Sequence, residues 1–434
     1  MTINENKLNI GVLSLHISRE TKAIINAIEA LGHEATWIKR ENVEIIIEDG
    51  NAIIKPDVDI VVNRMLLTKM EQPAGGFGLA KIFSSSVPML NPPESCITAI
   101  HKFATAMLLV DGGVPVPDAL LALDYDRLNE GKKRFGDTAV YKTAIGTNGG
   151  GTWRVEKDNR ISPRVGQREA FLQEFIKYGS GRNSDLRVYV VGGEIIGAMK
   201  RYARKGDWRT NVVLGGDIEN AEDILTKEIR DNSLKSAEVL GLDYAGVDLV
   251  ESEDGWKVLE VNPTAGFRGL FKATGICAAP YIAELAISRM GGVVERSLVE
   301  KLALSFDDSE PLSIQNKHRR HDDENINIMD FITEVVVRGT RGYQSVEAKA
   351  DTGASRTSID MKLAAKIGAG PILDTAKVRT GNDKEGRSRP LVDIVIGVKG
   401  RQHTVTASVE DRSHMEYQMI LGRDILQHYQ IRIK

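Results

Sequence analysis

The sequence has very little cysteine. Cys96 and Cys277 are the only two in 434 residues, too few for a disulfide framework and in keeping with a reducing, cytoplasmic setting. No apolar run reaches the roughly 18 residues that a membrane-spanning helix needs. The polar N-terminus lacks the charged-then-apolar pattern of a signal segment, so no membrane partner is expected. Charge of one sign is also scarce: the formal net charge is -3, which argues against bulk attraction to nucleic acid. There is no internal repeat and no low-complexity tract. What remains is an ordinary globular composition, 42% apolar and 27% charged, over a length that suggests about three domains.

Residues 8–15 read as a compact apolar strand. A helix over 18–31 follows, capped by Ser18 and ended by Gly32. Glu34–Ile38 and residues 58–65 fit further strands, and Asp49-Gly50 suits the turn of a hairpin between 43–48 and 51–55. Strands alternating with helices make residues 1–95 an α/β domain. Residues 96–292 mix helices with strands rich in Val and Ile. Residues 293–328 turn polar, peaking at His318-Arg319-Arg320-His321-Asp322-Asp323-Glu324, and read as a charged linker. Residues 329–434 switch to short strands with turn signals, an all-β pattern. The expected fold class is therefore α/β (α+β) with a C-terminal β domain.

Three stretches of the middle region carry chemistry. Gly146-Thr147-Asn148-Gly149-Gly150-Gly151 follows a strand containing Lys142. Such a loop brings backbone N–H groups close to phosphate oxygens, although a plain flexible turn fits the same residues. Residues 247–250 and 258–262 read as two strands joined through Glu253-Asp254-Gly255. Alternation puts Glu260 and Asn262 on one face, and Asp248 can lie opposite them. Two carboxylates and an amide oxygen form a hard oxygen site that suits Mg²⁺ completed by substrate phosphates. A solvated strand edge is the rival explanation, and it sits badly with acids embedded among Val and Leu. The basic stretch 200–211, with Arg201, Arg204 and Arg209, suits bidentate capture of carboxylate or phosphate, or else forms a cationic surface.

In order and spacing, GTNGGG, LQEFIK, SDLR, KGDWRTN, AGVDL and LEVNPTAG resemble the RimK-type ATP-grasp glutamate ligases over residues 8–291. That resemblance implies an ATP-grasp fold behind an N-terminal α/β domain. It implies that Lys102 and Lys142 contact ATP phosphates under the loop Gly146, Thr147, Asn148 and Gly149. Glu174 and Phe175 would lie at the adenine hinge and Asp185 near the ribose. Arg209, Thr210 and Asn211 would line the phosphate and acyl end, with Arg201, Arg209 and Asn211 as catalytic groups. Asp248, Glu260 and Asn262 would hold Mg²⁺ (or Mn²⁺), two ions in all. The implied reaction makes an acyl phosphate from ATP and a carboxylate, which an amine then attacks. Glutamate or a similar amino acid, an amine or peptide acceptor, and a homodimer or homotetramer are the implied partners. Tyr202 and Val213-Leu214 stand where many relatives carry Arg and His-Arg, so the acceptor stays open.

The C-terminal hundred residues carry Asp351-Thr352-Gly353-Ala354-Ser355 after an alternating strand over 343–350. Met419-Ile420-Leu421-Gly422-Arg423-Asp424 comes later. Residues 334–434 resemble retropepsin-like aspartic proteases, in particular a family found beside RimK-type ligases and labelled ATP-dependent zinc proteases. There is no HExxH, and His318 and His321 sit in the charged linker, so zinc is not expected. Aspartic proteolysis needs two carboxylates sharing a proton. With one Asp-Thr-Gly per chain, Asp351 would be catalytic only in a symmetric dimer. A non-catalytic dimerisation or acceptor-docking module is the alternative.

Overall fold

The computed structural model describes residues 7–16, 18–70, 73–145, 152–159, 161, 170–176, 182–203, 208–210, 217–309, 328–370, 372–380 and 383–432. The chain divides into two compact units, Met1–His318 and Arg319–Lys434.

The first unit begins with β1 (Asn9–Leu13) and β2 (Glu34–Ile38), then a hairpin of β3 (Glu44–Glu48) and β4 (Asn51–Lys55), then β5 (Ile60–Asn63) and β6 (Met89–Leu90). Four of these form a parallel sheet in the order β2-β1-β5-β6. Ile10, Val12, Ile60, Val61 and Val62 are fully buried, the continuous apolar run expected of parallel strands covered on both faces. The helix Arg19–Ala30 starts where the Ser18 hydroxyl accepts from the Thr21 N–H. It buries Ile24, Ile25 and Ile28 in the same core as Ile282, Ala283 and Ile287 of the helix Ala279–Arg289. Each such Ile contributes about 1.5–3 kcal/mol by burial.

A second, antiparallel sheet holds β7 (Ala119–Leu121), β8 (Thr138–Thr143), β9 (Thr152–Glu156) and β10 (Ala170–Glu174), ordered β7-β10-β8-β9. The third contains β11 (Ser184–Val191), β12 (Glu194–Tyr202), β13 (Ile218–Asn220), β14 (Tyr244–Ser252) and β15 (Gly255–Asn262), ordered β13-β12-β11-β14-β15. The segment read as linker from residue 293 differs from expectation. Arg296–Ala303 is a helix that buries Val299 and Ala303, and Arg296 bridges Glu194 and Glu284, each at 2.8 Å. Two apolar positions one helical turn apart are masked in sequence by the polar composition around them. The charged peak 318–324 lies outside the described residues.

The second unit holds β16 (Ile328–Asp330), β17 (Ile332–Gly339), β18 (Gly342–Ala350), β19 (Ser358–Asp360), β20 (Ile372–Thr380), β21 (Asp383–Val398), β22 (Arg401–Glu410), β23 (Met419–Leu421) and β24 (Gln430–Arg432). Seven of them run β17-β18-β23-β19-β22-β21-β20, and β17 also pairs with β21, so the sheet closes on itself. Val337, Ala348, Ile359, Ile396, Met419 and Leu421 fill its interior. The unit is not all-β as read from sequence. Asp360 caps a helix Met361–Ile367 through the N–H groups of Lys362 and Leu363, and Arg423–Leu426 forms a helical turn. Among the described residues, no single helix is long and apolar enough to cross a membrane.

Candidate functional site

The five-stranded sheet carries a buried charged centre. Pairing sets Arg187 of β11 opposite Asp248 of β14, and Asp185 of β11 opposite Arg201 of β12. Directly opposed residues share a face, so these four side chains converge. Glu260 joins them through an irregularity in β15. Leu249 pairs with Val258 but Asp248 pairs with Glu260, leaving Leu259 as the extra residue of a bulge. In an unbroken ladder Asp248 would oppose Leu259, and Glu260 would point to the other face.

Arg187 grips Asp248 through Nε–Oδ1 at 2.5 Å and Nη2–Oδ2 at 2.6 Å. Arg201 holds Asp185 in the same fork, both bonds at 2.6 Å, and its Nη2 lies 3.1 Å from Asp248 Oδ2. The Thr210 hydroxyl donates to Asp185. Asn262 Nδ2 lies 3.4 Å from Asp248 Oδ2 and 3.3 Å from Glu260 Oε1. Asp248, Asp185 and Arg201 are 2%, 5% and 6% exposed, so their charges are tolerable only as a hydrogen-bonded network. Burial pushes the Asp248 carboxyl up, but Arg187 and Arg201 overcome it and bring it down to about 2. Burial and the neighbouring Asp248 charge raise Asp185, against Arg201 and Thr210.

Asp248, Glu260 and Asn262 therefore come together as expected from sequence. No group of three His, Cys, Asp or Glu side chains suited to a metal occurs among the described residues, so a metal here depends on the amide as third donor. The set fits: carboxylate oxygens keep lone pairs beyond those the guanidiniums occupy, and turning the Asn262 amide presents its oxygen.

Lys142 on β8 bonds Gln173 Oε1 at 2.5 Å. Burial pushes its ammonium down to about 8, helped by Lys102 and opposed by Glu260, Asp248 and Asp185. Lys102 opens the helix Lys102–Asp111, its N–H donating to Ala144 O at 2.9 Å just past the end of β8. At the end of β10, Glu174 Oε2 lies 3.0 Å from Lys257 Nζ. Phe175 meets Trp208 edge-on at 5.8 Å between ring centroids, and the Arg154 guanidinium sits 5.3 Å from the Phe175 ring centre. Arg209 precedes Thr210, which is anchored on Asp185 and so brings that segment to the charged centre.

Asp185 has a different setting from the ribose contact that the resemblance implied. Arg201 and Thr210 occupy its oxygens inside the charged centre. Gly146, Thr147, Asn148, Gly149 and Asn211 lie outside the described residues. Sequence reading missed Arg187, Gln173 and Lys257. Arg187 was legible in principle, since it stands two positions after Asp185 on one strand and must share its face.

In the second unit two loops lock together. Asp351 N donates to Leu421 O at 3.0 Å, and Arg423 N to Ala354 O at 2.9 Å. Thr357 donates to Asp424 through its N–H at 3.0 Å and its hydroxyl at 2.8 Å. A Cβ on Gly422 would fall 2.4 Å from the Arg356 carbonyl carbon, so only glycine fits. The Gly353 N–H donates to Asp351 Oδ1 at 2.9 Å, holding a single half-buried carboxylate at the turn.

A family model described as the RimK-like ATP-grasp domain matches residues 99–286. A tetrahydromethanopterin:alpha-L-glutamate ligase of Methanocaldococcus jannaschii is 36% identical over 219 residues, 49% of this chain and 74% of that protein. A probable alpha-L-glutamate ligase of Aliivibrio fischeri is 30% identical over 283 residues, 62% of this chain and 91% of that one. Among solved structures, the ATP-grasp ligase PsnB complexed with minimal precursor superposes with a TM-score of 0.51 at 22% identity, over 64% of this chain and 99% of that chain. The chain belongs to the RimK-like ATP-grasp family and is a glutamate-ligase-like carboxylate–amine ligase that uses ATP with Mg²⁺.

Proposed function

We propose that the first unit adds glutamate or another acidic amino acid to a peptide or protein acceptor through an acyl phosphate, and that the second unit trims or reverses the product. The observation that carries the ligase half is the convergence of Asp248, Glu260 and Asn262 beside two buried guanidiniums. The names of relatives supply the substrate class: glutamate for the archaeal enzyme and a precursor peptide for PsnB.

In this reading Asp248, Glu260 and Asn262 hold Mg²⁺, which when bound neutralises phosphate oxygens. Asp248, well ionised at neutral pH, needs no deprotonation to serve. Lys102 and Lys142 pair with the phosphates, and the 146–149 stretch covers them. Glu174 and Phe175 border the adenine. Arg209 and Asn211 steady the acyl end, with Arg201 fixing the carboxylates around it. Residues 96–292 form the ligase domain behind the α/β domain 1–95, and 329–434 the fused module. Incubation with ATP, Mg²⁺ and each amino acid, followed by mass spectrometry of products, tests the ligase half. Absence of any amino-acid-dependent ADP release would end it.

The protease half draws support from the interlocked loops at Asp351 and Gly422. Its rival, a dimerisation or docking module, draws support from the same place, since each chain brings a single Asp-Thr-Gly carboxylate. Asp351 chemistry requires a homodimer, so analytical ultracentrifugation at assay concentration is the first discriminating measurement.

A further inference from the structure

Arg64 is the first residue after β5, and its N–H donates to Leu13 O at 2.9 Å, at the carboxyl end of β1. The chain leaves β1 toward β2 on one side and returns to β5 on the other. The carboxyl ends of β1 and β5 thus flank the switch point of the parallel sheet, where open α/β sheets form ligand crevices.

The Arg64 side chain is strangely placed for a structural ion. The residue is 4% exposed, and its Nε is buried with no hydrogen-bond partner. Nη1 reaches Ala265 O only at 3.4 Å, and the guanidinium lies 6.0 Å from the Phe267 ring centre. Among the described residues no carboxylate forms an ion pair with it. The titratable neighbours are either neutral or engaged elsewhere. Burial pushes the Cys96 thiol up to about 12 and raises the Tyr244 phenol, which hydrogen-bonds the Arg64 side chain, so both are neutral at physiological pH and the Arg64 Nε is still unmet. Asp243 is engaged by Arg289 and by the Asn91 N–H. Glu20 turns to the neighbouring loop, its Oε1 3.0 Å from where a Cβ on Gly266 would sit. A buried guanidinium with an unmet donor is costly, and such a group calls for a reason.

The loop facing Arg64 leads straight to the charged centre. Residues 263–267 continue from Asn262, and Asn91 Nδ2 pins them by donating to Pro263 O at 2.7 Å. Ala265 lies against the core of the site: a Cβ on Gly246 would meet Ala265 Cβ at 2.7 Å and Arg187 Cδ at 3.5 Å. Arg64 therefore stands one loop away from the Arg187–Asp248 pair, on the side of the N-terminal sheet.

We propose that the crevice at the carboxyl ends of β1 and β5 is a substrate carboxylate site, with Arg64 as the group that receives a carboxylate that is not phosphorylated. Its occupant is a spectator carboxylate, carried either by the incoming amino acid or by the acceptor. Arg64 then sets specificity for acidic substrates, a role that deepens the ligase reading and rests on it.

The test compares wild type with Arg64→Met and Arg64→Lys in the full chain. The probes are L-glutamate, its α-amide isoglutamine, its side-chain amide glutamine, and glutamyl-glutamate as acceptor with a free or amidated terminus. Wild type should prefer one free carboxylate over its amide on the order of a hundredfold, the scale of a buried charged pair losing one partner. An amide that abolishes turnover in every variant marks the carboxylate that is phosphorylated and is set aside; among the remaining probes, the one that shows the preference identifies the spectator carboxylate. In Arg64→Met the preference should collapse to a few-fold with the KM for ATP unchanged. Retention of the full preference, with melting unchanged, would make Arg64 a strut between β5 and the 263–267 loop. If Arg64→Met does not fold, Arg64→Lys decides, because it keeps charge but loses the fork: a raised KM for the acid probe supports the site, and an unchanged one overturns it. Calorimetric titration of L-glutamate and isoglutamine in the presence of ADP and Mg²⁺ draws the same distinction without turnover. A wild type that releases no ADP with any probe sinks the substrate class, while the titration still judges Arg64.

Discussion

The two units treat their acids in opposite ways. In the first, Asp185 and Asp248 are almost inaccessible and each is clasped by a guanidinium fork. In the second, Asp351 is half-buried at a turn and accepts a backbone N–H from Gly353. The first arrangement is complete within one chain, because sheet pairing supplies every counter-charge. The second holds one carboxylate at its turn, so the cleavage proposed for it requires a second copy. A buried, fully paired site is sensitive to the loss of any member, whereas a half-buried single acid at a turn is tolerant of loss unless it is used.

That contrast can be broken most sharply at Glu260. Glu260→Ala should lower amino-acid-dependent ADP release by about 10²–10³-fold, the scale of losing one preorganised charge-stabilising group. Circular dichroism and melting should stay near wild type, because Glu260 is only half-buried. Near-normal turnover would remove the metal role.

Arg187→Met tests the paired character of the centre. It leaves Asp248 buried with Arg201 as its remaining partner, and denaturant unfolding should show a loss of about 3–5 kcal/mol. The double change Arg187→Met with Asp248→Leu should recover much of that loss without recovering activity. Stability unchanged in the single variant would show that solvent reaches Asp248.

Lys142 gives a pH signature. Its folded value is depressed to about 8 by burial, so the charge that would hold phosphate is present below that pH and lost above it. kcat/KM for ATP should fall as pH rises through about 8, since this ratio reports the free enzyme. Lys142→Arg should move the fall to higher pH or abolish it.

The smallest effect is expected at Asp351. Asp351→Asn is nearly isosteric and should leave ligation unchanged, while products become longer or more persistent if the second unit cleaves them. Identical product distributions in both proteins, at acidic and neutral pH, would favour the docking module.

Much of the first unit was legible because its strands are short, apolar and separated by clear turn signals. The helix cap at Ser18, the Asp49-Gly50 hairpin and the strand Thr138–Thr143 follow from local chemistry. Glu260 and Asn262 could be placed together because alternation is local. What stayed hidden depends on pairing between distant strands. The roles of Arg187 and Arg201 as forks for Asp248 and Asp185 follow from register, which no window of sequence contains. Arg64 was hidden for the same reason, since its oddity is a missing partner. The helix Arg296–Ala303 was lost to composition, two apolar residues being outvoted by charged neighbours.

The bulge at Leu259 makes chain length, rather than side-chain identity, a determinant of the site. Removing that one residue would leave Asp248 opposite Glu260 in a regular ladder but would take away the bulge, and with it the local bend and added twist that aim Glu260 and Asn262 at the site. Any substitution scan of this strand would score Leu259 as replaceable, because another side chain there preserves the count. Its contribution is an ordinal one, and only a deletion can reveal it.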